Sequence, residues 1–182
     1  MPFKFSNLAI PGVILIEPQI FEDSRGYFCE LYKLSDFEKA GICTHFVQMN
    51  CSVSGKNVLR GLHHQLNPMA QGKLVQVAGG EIFDVAVDLR RSSPYYGRWV
   101  AEVLSSKKRN MLYVPQGFAH GFAVLSETAT VLYHCTREYS QVLERGILWN
   151  DSRLKIEWPL KDPIISSKDM SLPPLESAEN NF

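Results

Sequence analysis

Short apolar runs that alternate with polar residues, broken every few positions by Gly, Pro, Asn or Ser, dominate this chain and leave little choice of fold. The segments GVILIEPQIF, HFVQMNCSV, NVLRGLHHQ, KLVQVAGGEIFDVAVDLR, WVAEVLS, NMLYVPQGFAHGFAVLS and ATVLYHCTREY all qualify as strands. Successive side chains on a strand point to opposite faces, so an alternating run can lay one apolar face on a core. Only LSDFEKAG looks helical, with Ser35 and Glu38 as a capping box and Gly41 as the stop. The Gly79-Gly80 pair predicts a tight hairpin turn within KLVQVAGGEIFDVAVDL. Many strands and almost no helix imply an all-β fold: a jelly-roll β-barrel or sandwich with a few short peripheral helices. With 182 residues and no repeat, low-complexity tract or linker, one domain over residues 1–182 is expected. The polar, proline-containing tail SLPPLESAENNF is expected to fray from about residue 172.

Charge and cysteine usage remove several function classes. Lys and Arg together number 19, as do Asp and Glu, so no diffuse positive field exists to hold nucleic acid or an anionic membrane. An anionic ligand must then be gripped by local arginines. Cys29, Cys43, Cys51 and Cys135 form no C-x-x-C pair and read as buried, reduced thiols. The start MPFKFSNLAI lacks a basic region followed by a long apolar run, and no stretch approaches the roughly 20 apolar residues of a membrane span. The chain reads as soluble and cytoplasmic.

Two of the five histidines, His63 and His64, are adjacent in RGLHHQ. YVPQGFAHGF resembles the P-x-G-x-x-H element of the cupin barrels, through Pro115, Gly117 and His120, which supports a cupin-type jelly roll. Metal-binding cupins add an H-x-H motif and a glutamate shortly after it; here that place reads His63, His64, Gln65, with Met69 and Ala70 where the carboxylate belongs. Neighbours on an extended strand face opposite ways, so without a bulge only one of the two histidines looks inward. A mononuclear site needs three or more convergent ligands, and two at best are on offer, so no metal is expected.

A lone inward histidine suggests acid–base chemistry, because its unperturbed pKa of about 6.5 suits proton transfer near neutral pH. A carboxylate behind it would fix its tautomer. Lys73 could stabilise a developing enolate oxygen and Tyr133 could return a proton to carbon. Residue order alone does not bring Arg60, His63, Lys73 and Tyr133 together.

FEDSRGYFCELY, FVQMNCSVSGKNVLRGLHHQ, QGKLVQVAGGEIFDVAVDLRRSSPYYGRW, VPQGFAHGF, LYHCTREY, GILWNDSRLKIEWP and ISSKD follow one another with nearly the spacing of the dTDP-4-dehydrorhamnose 3,5-epimerases. The resemblance runs from about residue 15 to about residue 170. It implies cofactor-free inversion of C3 and C5 of dTDP-4-keto-6-deoxyglucose on the way to dTDP-rhamnose. By the same resemblance His63 looks like the base, Asp169 the carboxylate that orients it, Tyr133 the acid on the other face of the sugar and Lys73 the enolate stabiliser. His120 and Asp84 look like a second polar pair near the keto group. Arg60 and Arg25 resemble the diphosphate-binding arginines, and Gln48 and Asn50, two apart on one strand face, the thymine and phosphate contacts. Phe28, Glu30, Tyr139 and Lys168 complete the nucleotide pocket. The resemblance implies a homodimer with shared active sites. Where many relatives carry an aromatic after the base and a lysine after the tyrosine, this chain has His64 and His134. Strand parity turns both away from their catalytic neighbours. The alternatives are an epimerase acting on C3 or C5 alone, a metal-dependent cupin enzyme, and an inactive sugar-nucleotide binding module.

Overall fold

A computed structural model describes residues 2–182. Two antiparallel sheets face each other. The first has six strands in the order β1 (Phe3–Asn7), β2 (Ile14–Pro18), β10 (Met111–Val114), β7 (Lys73–Gly79), β12 (Thr128–Cys135) and β5 (Gln48–Gly55). The second has five, in the order β13 (Glu144–Gly146), β6 (Leu59–Gln65), β11 (Phe118–Val124), β8 (Glu81–Asp88) and β9 (Trp99–Ser105). A separate hairpin joins β3 (Phe21–Asp23) to β4 (Gly26–Phe28), and two short helices, α1 (Leu34–Lys39) and α2 (Ser167–Met170), lie at the periphery. This is the jelly-roll sandwich that the alternating runs predict.

The inward residues of both sheets, among them Val75, Val77, Ile82, Ala86, Leu112, Phe118, Phe122 and Val131, form the central core. The outer face of the six-stranded sheet buries Ile14, Ile16, Leu74 and Met111 under Phe37 of α1. The outer face of the five-stranded sheet sets Val85 and Val87 against Ile147, Leu154 and Leu175. Strands covered on both faces explain why KLVQVAGGEIFDVAVDL is so densely apolar.

Four local expectations need correction. Gly79-Gly80 is not a hairpin: β7 pairs with β10 and β12, whereas β8 pairs with β11 and β9, so the glycines form a corner between sheets. Gly80 alone takes a positive φ, 81°, and a Cβ there would collide with the Thr128 carbonyl and Ser126. Ser35 lies inside α1 rather than at its cap, because the N-cap is Lys33, two residues earlier, and makes no side-chain cap. Gly41 does end it, at φ 87°, with its N–H on the Glu38 carbonyl. The tail does not fray: Leu175 is buried, the Leu175 N–H donates to Asp151, Asn180 donates to the Leu89 carbonyl, and Asn67 and Asn181 bond each other reciprocally. Its few apolar residues, Leu175, Ala178 and Phe182, cover the five-stranded sheet, and its polar ones are tied to backbone. Of the cysteines only Cys135 is buried; Cys43 and Cys51 are exposed.

Candidate active site

Strand β6 carries the densest chemistry. His120 on β11 pairs with His63, but Phe122 pairs with Arg60, so three steps on β6 match two on β11. That bulge turns Arg60 and His63 to the same side, which regular alternation would forbid. It depends on Gly61, at φ 125°, where a Cβ would stand 2.6 Å from the Gly121 Cα.

His63 and His64 then diverge as parity predicts. The His63 Nε2 lies 2.9 Å from Asp169 Oδ1, while Asp169 Oδ2 accepts the Gly61 N–H at 3.1 Å. With Nε2–H donating to the carboxylate, Nδ1 is left with a lone pair to take a proton. Helix α2 holds Asp169 in place through its cap, the Asp169 N–H bonding Ser166 Oγ. Burial pushes the Asp169 carboxyl up, but the bond and charge of His63 and the Gly61 N–H outweigh it, leaving it below the usual range. His64 borders the pocket wall but sends its ring back to the tail, with Nε2 donating to the Glu179 carbonyl at 3.1 Å and Phe182 edge-on at 5.9 Å. Burial drives its pKa down to about 4, so it is neutral. His134 likewise faces away, against Phe46.

The pocket has two lobes of about 290 Å³ each, and His63, Lys73 and Tyr133 border both. Gln48, Asn50, Tyr139 and Glu144 line the first; Ser52, Arg60, His120, Lys168 and Asp169 line the second. Behind His120, Asp84 is fully buried, its Oδ1 2.8 Å from the His120 Nε2. Burial pushes the Lys73 ammonium down, with Cys135, Asp84 and Glu144 opposing the shift, and Lys73 has no ion-pair partner among the described residues. Burial raises the Tyr133 hydroxyl, keeping it protonated and able to donate. Base and tyrosine stand on opposing sheets, β6 and β12, while Lys73 is on β7 beside the tyrosine. Among the described residues no three His, Cys, Asp or Glu gather as a set of metal ligands.

Three of the expected residues are not brought to this pocket. Arg25 and Phe28 belong to the β3–β4 hairpin, which lines a cleft of its own, with Arg25 tied to Asp23 and Phe28 65% exposed. Glu30 lies just beyond that hairpin and borders neither lobe. Conversely, Glu144 and Ser52 were not foreseen. Glu144 Oε2 accepts from Tyr139 at 2.7 Å and from Lys168 at 2.6 Å, joining the two residues at the mouth. Burial raises its carboxyl, but those two bonds bring it below its ordinary value. The parity that grouped Gln48 with Asn50 also reaches Ser52; nothing in the sequence marked Glu144.

A jelly-roll sandwich whose pocket sets a carboxylate-backed histidine on one wall against a lysine and a tyrosine on the other defines an acid–base enzyme of the cupin-like epimerase class. The match to known proteins makes this particular. The chain belongs to the dTDP-4-dehydrorhamnose 3,5-epimerase family, whose model matches residues 7–177. It is 52% identical to the dTDP-4-dehydrorhamnose 3,5-epimerase of Shigella flexneri over 163 residues, covering 89% of this chain and 90% of that protein. Identity to the Pseudomonas aeruginosa enzyme of that name is 54% over 170 residues, covering 91% and 92%. A solved dTDP-6-deoxy-D-glucose-3,5-epimerase from Legionella pneumophila, in complex with dTDP-4-keto-L-rhamnose, superposes with a TM-score of 0.92 at 44% identity, covering 96% of this chain and 94% of that one.

Proposed function

We propose that this enzyme converts dTDP-4-keto-6-deoxy-D-glucose to dTDP-4-keto-L-rhamnose by inverting C3 and C5, in dTDP-L-rhamnose biosynthesis. The observation that carries this reading is the placement of His63 and Tyr133 on opposing sheets with Lys73 between the lobes. A C–H beside a ketone becomes acidic only if charge on the carbonyl oxygen is stabilised. Lys73, half-buried and without an ion-pair partner among the described residues, supplies a cation already in place. His63, oriented by Asp169, takes the proton from one face of the sugar. Tyr133 returns one to the other face, and so the configuration inverts. The chemistry is complete without a cofactor.

Arg60 holds the diphosphate through its planar guanidinium. Gln48, Asn50, Tyr139 and Lys168 contact the nucleotide, and His120 with Asp84 flanks the keto group. Arg25, Phe28 and Glu30 serve the pocket of a second subunit in a homodimer. Their separation from their own pocket supports this, as do exposed Met49 and Val53 on the outer side of β5 and exposed Val47 just before it. A monomeric mass by light scattering would remove the shared site. No helix among the described residues is long and apolar enough to cross a membrane, and unpaired thiols fit a cytoplasmic enzyme. Recovery of the enzyme in another cell fraction would displace that placement.

The deciding experiment is NMR of dTDP-4-keto-6-deoxyglucose incubated with the protein in deuterated water. Deuterium at both C3 and C5 is the expected result. Label at one carbon alone means a single-site epimerase, and label at neither means a binding module.

A further inference from the structure

Strand β6, which carries His63, is paired irregularly on both sides. Against β11 its register breaks at the Gly61 bulge, and its other neighbour, β13, is an edge strand of only three residues. A base that must meet a particular carbon tolerates little play, because a small misplacement of a reacting group costs rate out of proportion to its size. Residues 179–182 supply a further hold on this strand, from behind.

In the register of β6 with β13, Arg145 lies opposite His64, and the next position along pairs Gly146 with His63. Glu179 touches both members of the first pair. Its carbonyl accepts from His64 Nε2 at 3.1 Å, and its carboxylate accepts from Arg145 Nε at 2.6 Å. One residue thus clips the edge strand to the catalytic strand a single position from the base. The ion pair is partly exposed and weak by itself, but it does not act alone. Just past the end of β6, the Asn67 N–H donates to Asn181 Oδ1 at 2.9 Å, Asn67 Nδ2 to the Asn181 carbonyl at 3.3 Å and Asn181 Nδ2 to the Asn67 carbonyl at 3.2 Å. Between these two grips Asn180 is buried and donates to the Leu89 carbonyl. Arg91, beyond β8, donates its N–H to the Phe182 carbonyl and its Nη2 to the Asn180 carbonyl. The segment is therefore anchored at the exit of β8 and holds β6 at His64 and Asn67. It borders neither lobe of the pocket, so any influence it has on the reaction passes through the strand.

We propose that residues 179–182 are a positioning clasp, with Glu179 and Asn181 as its positioning residues, which holds β6 so that His63 stays on Asp169 and in line with the reacting carbon. This rests on the reading of His63 as the base. It goes beyond that reading by giving a part in the reaction to a segment that never meets the ligand.

The wild type, a chain ending at Ala178 and the Glu179→Ala/Asn181→Ala double variant are compared in three measurements. These are the rate of deuterium entry into saturating dTDP-4-keto-6-deoxyglucose, calorimetric affinity for dTDP, and amide hydrogen exchange. Truncation is expected to slow deuterium entry by about 10-fold, and the double variant, which keeps Phe182 and the Glu179 carbonyl, by about fivefold. Affinity for dTDP should stay within twofold, since Gln48 and Asn50 on β5 are untouched. Amides from His63 to Gln65 should exchange faster while those of β12 keep their protection. Deuterium entry within twofold of wild type in every variant that folds overturns the clasp. So does slowing matched by an equal loss of dTDP affinity or by lost protection in both sheets, which assigns the segment to overall stability. Slowing confined to the truncated chain overturns the roles of the Glu179 and Asn181 side chains. Should the truncated chain not fold, the double variant decides by the same criteria. No deuterium entry in the wild type itself overturns the epimerase reading, and the clasp with it.

Discussion

His63 and His120 are direct partners across β6 and β11, and each has its own aspartate, at 2.9 and 2.8 Å. The two pairs differ in access. The His63 side chain is 28% exposed and opens to both lobes, whereas that of His120 is 8% exposed over a fully buried Asp84. They differ in satisfaction too: Asp169 uses both oxygens, while Asp84 Oδ2 is buried without a partner. Asp84 also supports the charge of Lys73. A histidine beside a carboxylate is therefore not enough to make a base. The ring needs a free nitrogen open to the ligand, and its carboxylate must be held firmly. The inner pair is closed off beside Lys73.

Removing each ring in turn is the most severe way to break this comparison. We predict that His63→Ala lowers turnover by about 10³-fold or more and abolishes deuterium exchange at both carbons. His120→Ala is expected to lower turnover by about 10- to 100-fold and to retain measurable exchange. Equal losses would mean that the two imidazoles act as a unit. Tyr133→Phe sharpens the distinction from the opposite wall, because base, Asp169 and Lys73 are untouched. Deuterium should still enter the sugar, within about 10-fold of the wild-type rate, while its configuration is largely retained. Inverted product forming at near wild-type rate would exclude Tyr133 as the acid and bring Tyr139 forward.

The smallest expected effect concerns the third histidine, His64. Its folded pKa of about 4 is below the value of about 6.5 that it has when unfolded. The unfolded chain thus binds the extra proton between those values, and the contribution to stability, roughly 3 kcal/mol at most, is lost as pH falls through that window. His64→Phe should keep turnover within about threefold and show a smaller fall in melting temperature between pH 7 and pH 4.5. An identical acid profile in both proteins would show that protonating His64 does not loosen the tail.

The strands were legible because a buried face leaves its period in the sequence, and the site's main residues were legible through the motifs that hold them. Several features were not, each for a physical reason. Two adjacent glycines fit a hairpin as well as a corner between sheets, and only the pairing of β7 and β8 with different neighbours separates the two. Arg60 and His63, three apart, should oppose each other; the bulge at Gly61 unites them, and a bulge depends on the facing strand. The tail looked too polar to pack, yet Phe182 and Leu175 suffice when its amides find backbone partners. The three-residue strands β3 and β4 were too short to show a period.

Within the two large sheets only β1–β2 and β8–β9 join strands that are neighbours in sequence; every other pairing closes a long loop. His63 and Asp169 are 106 residues apart, with Lys73 and Tyr133 between them. Activity is therefore acquired late. A nascent chain that has released β6 has its imidazole but not yet the opposing tyrosine, and even with β12 out it lacks the carboxylate until the final turn of helix leaves the ribosome. Folding dominated by such distant pairings is slow compared with that of a helical bundle. Synthesis halted anywhere before residue 169 yields a chain without the His63–Asp169 pair.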